Sequence, residues 1–367
     1  MEKLKLFVDA HVFDGIHQGT VTFISGLYKE IVKNKDVQLF VGSENYEKAR
    51  TLLNSSNFIH IRYKSHSKFR RLAIDIPYAL YKNKIDYAHF QYIVPLIKTT
   101  KYIVTIHDLL FLDFPSKFPV IYRIKNTLLF YLSAKQANIL TTVSDYSKKS
   151  IAKHFKITLT DIAVTPNAVE QVEIKAIEVD ELSNKDFILF VSRIEPRKNQ
   201  SLLLKAWIEL KLYERNICLV LVGAVGILDS TLNNQIENLT DIQKQHFYWL
   251  KDVSKENLVW LYKNCRLFIF PSKAEGFGIP PIEAAYYGAK VACSNKTAMS
   301  DFDFFKDLSF SPDNIEEMKS KIIDGLNEEI DIEKIKEDII SKYNWHKIAN
   351  NFINSILINE KNRNYWH

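Results

Sequence analysis

Cysteine is scarce in this sequence, with three residues in a chain of 367. Cys218, Cys265 and Cys293 lie in apolar segments without metal-ligand spacing, so we expect reduced core thiols rather than a disulfide framework or a zinc site. Long apolar runs are also missing, because no stretch approaches the roughly 18 uncharged residues that a membrane-spanning helix needs. The apolar run in the opening MEKLKLFVDAHVFDG is too short for a signal peptide. These absences predict a cytoplasmic protein.

The basic charge of the chain is concentrated in its first half. Residues 1–168 contain 24 Lys and Arg against 13 Asp and Glu, whereas the remainder contains 25 against 30, and the net charge is +6. An excess of cations in one half indicates an anionic partner for that half. Charge alone leaves nucleic acid, phosphorylated lipid and a membrane surface open as that partner.

Short apolar, β-branched runs alternate with helical segments along the whole chain. The runs are LKLFVDA, VQLFVGS, IHIRY, IDYAHFQ, KYIVTIHD, NILTTVS and DIAVTPN, then FILFVSR, ICLVLVGA, HFYWLKD, LFIFPS and KVACSN. Such runs suit strands buried on both faces of a parallel sheet, and their alternation with helices predicts doubly wound α/β architecture. The acidic, poorly periodic residues 170–186 separate the two groups. We therefore predict one domain of residues 1–170, a second of residues 171–345, and a final helix over residues 346–367.

Two segments of the first domain have groups suited to a ligand. In DGIHQGTVTFISGLY, Gly15 and Gly19 come just before a helix whose first amides could bind an anion. A plain strand-to-helix turn explains these glycines equally well. In VTIHDLLF, His107 and Asp108 follow a strand-like run, where a histidine can bond to a sugar hydroxyl or exchange a proton. The alternative is a buried histidine with a purely structural role.

The segment FVSRIEPRKNQ places three cations where a strand ends and a helix begins. Arg193, Arg197 and Lys198 would lie beside the first amides of that helix, a combination that neutralises a diphosphate. A solvated charged loop is the alternative. The strand-end position favours contact with a ligand, because ligands of parallel sheets bind at the carboxyl ends of the strands.

The segment EGFGIPPIE combines two acids with residues typical of a loop entering a helix. Pro280 and Pro281 suit the first turn of a helix, where their missing N–H groups cost nothing. We expect Glu275 in the loop and Glu283 on the first helical turn, on either side of the amides of Phe277 and Gly278. A nucleotide sugar would satisfy this arrangement, because it has vicinal hydroxyls at both ends and a diphosphate between them.

The aspartates of DFD are a second possible ligand group, for a metal ion. Asp301 and Asp303 could hold Mg²⁺ or Mn²⁺ on a diphosphate. They follow the last strand-like run, however, and aromatic residues surround them. We therefore expect no metal site and no cofactor.

These residues together resemble a known family, the retaining nucleotide-sugar glycosyltransferases of glycosyltransferase family 4, which have the GT-B fold. Its signature of two glutamates separated by seven residues after a strand ending in FPS is matched by FPSKAEGFGIPPIEAAYYG, and VSRIEPRKN matches the upstream phosphate motif. LVLVGA, LVWLYKNCRLFIFPS, TVSDYSKKSI, VTPNAVE and YNWHKIANNF look like further blocks, so the resemblance covers nearly the whole chain. It implies two Rossmann-like domains facing across a cleft, with the last helix crossing back onto the first.

The resemblance also implies a role for each matched residue. Arg193 and Lys198 would bind the donor diphosphate and stabilise the leaving group, and Glu283 would hold the ribose hydroxyls. Glu275 would hold the donor sugar, and His107 would lie beside the anomeric carbon, which makes His107, Arg193, Lys198 and Glu275 the catalytic set. The donor-binding set is Gly19, Thr20, Arg193, Lys198, Glu275, Gly276, Phe277, Gly278 and Glu283, and the acceptor-side residues are Gly15 and Asp108.

The chain departs from the family pattern in two places. GIHQGT replaces the usual paired glycines of the N-terminal loop, which weakens the assignment of Gly19 and Thr20. MSDFD replaces the LPE that often follows the last strand, so the acceptor-side geometry there is open.

The resemblance implies a retaining, metal-independent hexosyltransferase that uses a GDP- or UDP-sugar, with GDP-mannose as the first choice. The acceptor would be a glycan or lipid-linked glycan of a surface polysaccharide such as lipopolysaccharide. Two alternatives are a nucleotide-sugar epimerase of the same fold and a non-catalytic protein that binds glycan or nucleic acid. A non-catalytic binding protein would leave Glu275 and Glu283 unexplained. We expect no nucleic acid partner. A nicotinamide dehydrogenase would need a glycine fingerprint that VDAHVFDGIHQG does not supply.

Two basic segments of the first domain bear on the acceptor. RYKSHSKFRR at 62–71 and KFPVIYRIKNTLLFYL at 117–132 mix cations with aromatic and aliphatic residues. The second could be an amphipathic helix at a membrane surface, which predicts a peripheral position on the inner face of the cytoplasmic membrane. An ordinary packed helix with a solvated face is the alternative.

Overall fold

The computed structural model describes residues 3–15, 19–64, 67–227 and 229–364. Residues 16–18 of the predicted anion loop, residues 65 and 66 of the first basic segment, and residues 365–367 of the last helix lie outside the described residues. The chain forms two compact units: one comprises Met1–Glu170 and Tyr343–His367, and the other comprises Gln171–Lys342. Each unit has its own parallel β-sheet.

The sheet of the first unit has seven strands. They are β1 (Leu4–Asp9), β2 (Val37–Ser43), β3 (Ile59–Arg62), β4 (Tyr87–Gln91), β5 (Lys101–Thr105), β6 (Ile139–Thr142) and β7 (Ile162–Val164). Their order is β3-β2-β1-β4-β5-β6-β7, and every neighbouring pair is parallel. The chain leaves β1 in one direction and returns to its other side at β4. Ligands of open α/β sheets bind at such a switch point, outside the carboxyl ends of the strands.

Helices cover both faces of this sheet, which explains why its strands are almost continuously apolar. They are α1 (Gly19–Ile31), α2 (Tyr46–Leu53), α3 (Lys68–Arg70), α4 (Ile76–Lys82), α5 (Leu110–Asp113), α6 (Val120–Gln136) and α7 (Asp145–Phe155). A π-helical turn, Arg71–Asp75, joins α3 to α4. Asn45 and Ser144 cap the N-termini of α2 and α7 with their side chains, as their residue types favour.

The second unit repeats this plan with six strands. They are β8 (Asp186–Val191), β9 (Ile217–Val222), β10 (Phe247–Leu250), β11 (Leu267–Phe270), β12 (Val291–Ser294) and β13 (Ser309–Phe310). The order is β10-β9-β8-β11-β12-β13, all parallel, so the switch point lies between β8 and β11. The helices are α8 (Gln200–Glu209), α9 (Ser230–Glu237), α10 (Asp241–Gln245), α11 (Lys255–Asn264), α12 (Ile279–Tyr286), α13 (Ile315–Asn327) and α14 (Ile332–Lys342).

The last helix, α15 (Trp345–Asn364), belongs to the first unit, where it packs on α1. Gly26 of α1 makes this contact possible, because a Cβ there would overlap the indole of Trp345. Val169 and Asn344 form a parallel bridge next to the contact. The two chain segments of the first unit therefore pack as one body.

The predicted fold class is confirmed. Each of the twelve predicted strand segments contains a strand among the described residues, and the additional strand β13 has two residues, too few for a periodic signal. Within the described residues, none of the helices has the length and apolar character that crossing a bilayer would require.

Candidate functional site

Two loops meet at the switch point of the second unit. The first loop, residues 192–199, follows β8, and the second loop, residues 271–278, follows the neighbouring strand β11. Asn199 adopts a left-handed backbone conformation, with φ of 65°, and its side-chain Nδ2 donates to the carbonyl oxygens of Pro271 at 3.2 Å and Pro312 at 2.7 Å. The amide of Lys273 donates to the carbonyl of Arg197 at 2.9 Å. These bonds hold the two loops together.

A buried ion pair joins the two loops. Lys198 Nζ donates to Glu275 Oε1 at 2.6 Å, and both residues are less than one-tenth exposed. Ser272 Oγ donates to the same carboxylate oxygen at 2.6 Å, and Arg197 Nη1 lies 3.2 Å from Oε2. The backbone N–H of Glu275 donates to Thr297 Oγ1 at 2.9 Å. The carboxylate is therefore held in one orientation.

Burial and the neighbouring charges shift the pKa values of both members of this ion pair. Burial raises the pKa of Glu275, but Lys198 and Arg197 outweigh it and hold the pKa at about 2. Burial lowers the pKa of Lys198 and outweighs the opposing effect of Glu275. The carboxylate is thus firmly ionised, while the ammonium lies in surroundings that disfavour its charge. An additional anion beside Lys198 would relieve that cost.

A second carboxylate completes the cluster. Glu195 Oε1 lies 3.3 Å from Arg193 Nη2, and its Oε2 lies 3.0 Å from Arg197 Nη2. Arg193, Arg197 and Lys198 together with Glu195 and Glu275 leave one positive charge in excess. The Arg193 side chain is half exposed whereas that of Lys198 is only 10% exposed, so Arg193 is the cation of this set that is most accessible to a ligand.

The second loop turns into α12 through a glycine that no other residue would replace easily. Gly278 has φ of 99°, a conformation that costs an L-residue energy, and a Cβ there would also overlap the Met299 side chain. Half-buried Gly276 and buried Phe277 precede it, and the Phe277 ring packs edge-on against Phe302. Pro280 lies in the first turn of α12, as predicted.

Glu283 lies just beyond the first turn of α12, on which it was predicted. The helix begins at Ile279, directly after the left-handed Gly278, so Glu283 opens the second turn rather than lying on the first. Its Oε2 accepts a hydrogen bond from the Tyr262 hydroxyl at 3.2 Å. Burial and the Glu283 carboxylate raise the pKa of Tyr262, which keeps the phenol protonated and able to donate.

His107 lies in the first unit, two residues beyond the end of β5, and it is buried. Its Nε2 lies 2.6 Å from Gln91 Oε1, the Gln91 Nε2 lies 3.2 Å from His89 Nε2, and the His89 Nδ1 lies 2.9 Å from the Tyr28 hydroxyl. Burial lowers the pKa of His107 to about 3. The imidazole is therefore neutral at physiological pH, with one nitrogen that can donate a hydrogen bond and one that can accept.

The other residues predicted in the first domain lie at the ends of helices. Gly15 is exposed and ends a short 3-10 helix after β1, and Gly19 and Thr20 begin α1. Asp108 Oδ1 accepts from the amide of Leu110, which begins α5. These contacts give Asp108 a local structural role. Gly15, Gly19, Thr20, His107 and Asp108 belong to the first unit, and the remaining predicted residues belong to the second.

Several partners of these residues were missed in the sequence. They are Gln91 and His89 beside His107, Glu195, Ser272 and Thr297 in the ion-pair cluster, and Tyr262 beside Glu283. One signal was available: His89 and Gln91 alternate in the otherwise apolar strand YAHFQ, so both point to the same face of the sheet. The remaining partners depend on the pairing of distant loops.

Comparisons with known proteins agree with this architecture. A family model described as "Glycosyl transferases group 1" matches residues 171–365, and one described as "Glycosyltransferase Family 4" matches residues 17–171. Among solved structures, a glycosyltransferase from Rickettsia africae has a TM-score of 0.72 at 18% identity, covering 98% of this chain and 99% of that one. Anabaena Alr3699/HepE, solved in complex with UDP-glucose, has a TM-score of 0.71 at 16% identity, covering 96% and 98%.

Curated relatives at low identity include two named for O-antigen chains. O-antigen chain mannosyltransferase B of Escherichia coli is 28% identical over 239 residues, which are 62% of this chain and 61% of that protein. O-antigen chain mannosyltransferase RfbU of Salmonella typhimurium is 27% identical over 268 residues, 71% of this chain and 68% of that protein. The chain thus spans less than two thirds of the length of the first of these relatives. Because the first family model matches more than half of its residues, this chain belongs to the group 1 glycosyl transferases.

Proposed function

We propose that this protein transfers a hexose, with mannose as the first choice, from a nucleotide diphosphate sugar to a glycan or lipid-linked glycan acceptor of a surface polysaccharide. The observation that carries the proposal is the buried Lys198–Glu275 pair at the switch point of the second unit, with one positive charge in excess around it. The names of the O-antigen mannosyltransferases support the sugar, and HepE with UDP-glucose supports a nucleotide sugar as donor.

The cluster suits a donor that is anionic in the middle and rich in hydroxyls at its ends. Arg193 and Lys198 would bind the diphosphate, because Arg193 is accessible and Lys198 has three N–H donors, of which Glu275 accepts one. Glu283 would hold the ribose hydroxyls. Glu275, with the amides of Phe277 and Gly278, would hold the sugar, since an ionised carboxylate is a strong acceptor for hydroxyl groups.

The proposed reaction proceeds on one face of the sugar and retains its configuration. The bond from the anomeric carbon to the diphosphate oxygen breaks, the acceptor oxygen bonds to the same face, and the departing phosphate takes the acceptor proton. Arg193 and Lys198 would stabilise the negative charge that develops on the leaving diphosphate. Because Arg193 and Lys198 would neutralise the charge of the diphosphate, we propose that no divalent metal is required. His107 would act as a neutral hydrogen-bond partner of the sugar.

The proposal includes a peripheral position on the inner face of the cytoplasmic membrane, where a lipid-linked acceptor would be available. Such a position needs a surface that binds lipid without spanning the bilayer.

Proton NMR of the anomeric signals tests the function. The protein is incubated with GDP-mannose or UDP-glucose in the presence of EDTA, with and without a panel of short mannoside and diphospholipid-linked acceptors. We expect a new glycoside with the anomeric configuration of the donor, formed only when an acceptor is present. Isomerised or free sugar in the samples without acceptor would instead identify an epimerase. A preceding screen measures the melting temperature with each nucleotide sugar, because a bound donor stabilises the folded protein. If no nucleotide sugar raised the melting temperature, the result would count against a nucleotide-sugar site.

A further inference from the structure

The surface helix α6 is apolar on the side that faces solvent. Its exposed apolar residues are Val120, Ile121, Tyr122, Ile124, Leu128, Tyr131 and Leu132, with Ile121 82% and Ile124 66% exposed. Its less exposed side carries Arg123, Asn126, Thr127 and Ser133 beside buried Phe130 and Ala134. A surface helix of a globular protein normally has the opposite distribution. One side of the helix packs on the core, as the packed alternative requires, but the opposite side is more apolar than a solvated helix face normally is.

Two neighbouring segments extend this apolar surface. Phe69, Ile74, Tyr78 and Tyr81, on α3, the π-helical turn and α4, are 56% to 79% exposed. The buried side of α4 and that of α6 contribute to one core cluster through Ile76 and Phe130, so both helices lie on the same layer. Leu96 and Ile97 are also exposed, and the following Lys98 donates from Nζ to the carbonyl of Gln136 at the end of α6, at 2.6 Å.

The exposed charged residues among these apolar side chains are cations. Residues 114–144 contain no Asp or Glu, and Lys117, Lys125 and Lys135 are exposed there. Burial, followed by the nearby cations Arg71 and Lys125, lowers the pKa of Lys68 on α3, and Asp9 opposes this shift. Two largely buried carboxylates pair with the arginines of this segment: Asp75 lies 3.6 Å from Arg70, and Asp9 lies 3.6 Å from Arg71. The exposed lysines Lys68, Lys125 and Lys135 therefore indicate an anionic partner.

We propose that these residues form a docking face for an anionic lipid bilayer, comprising the exposed side of α6, the exposed residues of α3 to α4, and Leu96 to Lys98. The apolar side chains enter the boundary between headgroups and acyl chains, while Lys68, Lys125 and Lys135 contact lipid phosphates. A symmetric contact with a second copy fits less well, because it would bring the same cations against one another. The inference rests on the proposed function for its setting, since a lipid-linked acceptor lies in such a membrane.

Sedimentation with vesicles tests the docking face without requiring activity. The full chain is mixed with vesicles of phosphatidylglycerol and phosphatidylcholine, or of phosphatidylcholine alone, at low and high salt. We expect binding to the anionic vesicles that weakens as salt rises. I121E/L128E and K125E/K135E should each lower binding by at least about tenfold, since they remove apolar contact or reverse the charge.

Matched variants of the second unit separate this effect from a general change in hydrophobicity or charge. Ile177 and Ile242 are 53% and 48% exposed, and Lys244 and Lys263 are exposed lysines. I177E/I242E and K244E/K263E should bind vesicles like the unchanged protein. Absence of binding to anionic vesicles, or an equal loss in these controls, would overturn the proposal. Light scattering that shows a dimer dissociated by I121E/L128E, without vesicle binding, would assign the face to a second copy instead.

Vesicle binding and transfer can fail independently. Transfer to a short water-soluble acceptor without vesicle binding would refute the docking face alone. Vesicle binding without any transfer would refute the proposed function and leave the docking face intact.

Discussion

At the scale of single residues, Glu275 shows how a carboxylate can be buried and remain ionised. Removing a charge from water is costly unless the charge is paired, and Glu275 has Lys198, Arg197 and Ser272 as partners. Sequence patterns predicted Glu275 as a ligand residue but not this pairing. Lys198 lies 77 residues away along the chain, and only the adjacency of β8 and β11 brings the two loops together.

The depressed pKa of Glu275 predicts a pH-dependent contribution to stability. This contribution is complete above the ordinary carboxyl value of 4.5 and is lost as pH falls toward about 2. E275Q should therefore lower the free energy of unfolding by about 3 kcal/mol at pH 7, because breaking a buried pair leaves cations uncompensated. Urea unfolding at a series of pH values should show the difference between the two proteins shrinking below pH 4.5.

An exposed ion pair provides the control for this measurement. Glu316 pairs with Lys319 on α13 and its side chain is 73% exposed. E316Q should change stability by less than about 1 kcal/mol at any of these pH values. The account of the buried pair would be contradicted if E275Q lowered the free energy of unfolding by as little as E316Q does. It would also be contradicted if the loss in E275Q stayed constant down to pH 3.

His107 should not titrate in the physiological range. Burial holds its pKa near 3, so its imidazole should remain neutral between pH 5 and 8. Two-dimensional NMR of the histidine side chains measures this, and the signal that disappears in H107Q identifies the residue. A His107 signal with a midpoint near 6.5 would show that the ring is solvated and available as a proton carrier.

At the scale of elements, the beginning of α12 determines where the second glutamate lies. The paired prolines predicted that a helix begins there. The sequence did not show that Gly278 adopts a left-handed conformation directly before the helix, so the first helical residue could not be predicted. The strand positions, in contrast, followed directly from continuous apolar runs, because both faces of each sheet are covered. Strand β13 was missed since Ser309 and Phe310 alone form no recognisable run.

Two glycines at the ends of α12 separate backbone strain from packing. Gly278 and Gly288 have nearly equal φ values of 99° and 97°, but a Cβ on Gly278 would overlap Met299, whereas a Cβ on Gly288 would meet nothing within 4 Å. G288A should cost about 1 kcal/mol from strain alone, and G278A at least about 1 kcal/mol more, because it also overpacks the site. Chemical denaturation of both variants measures the costs, and equal losses would show that Met299 moves aside freely.

At the scale of the whole molecule, the chain repeats one architectural plan in two units. Alternating strands and helices, with an acidic interval between the two groups, predicted this plan because parallel sheets need helical crossovers. The uneven charge was predicted to indicate an anionic partner. Residues 117–132 were read either as an amphipathic helix at a membrane surface or as an ordinary packed helix, because sequence alone does not show which side of a helix packs on the core. Membership of the group 1 glycosyl transferases supports the proposed transfer reaction, and its assignment to the ion-pair cluster remains a proposal.

The turnover number of K198A at saturating donor tests most directly whether the ion-pair cluster supports the transfer reaction. A cation that stabilises the leaving diphosphate acts where charge develops, so its loss should lower kcat by about 10²- to 10³-fold. K205A on neighbouring α8 is the control, because Lys205 is 54% exposed and pairs with Glu209 on the same helix. The melting temperature of each variant confirms that it is folded. We predict the large loss of kcat in folded K198A and none in K205A, whereas a folded K198A with unchanged kcat would contradict the proposed role of the cluster.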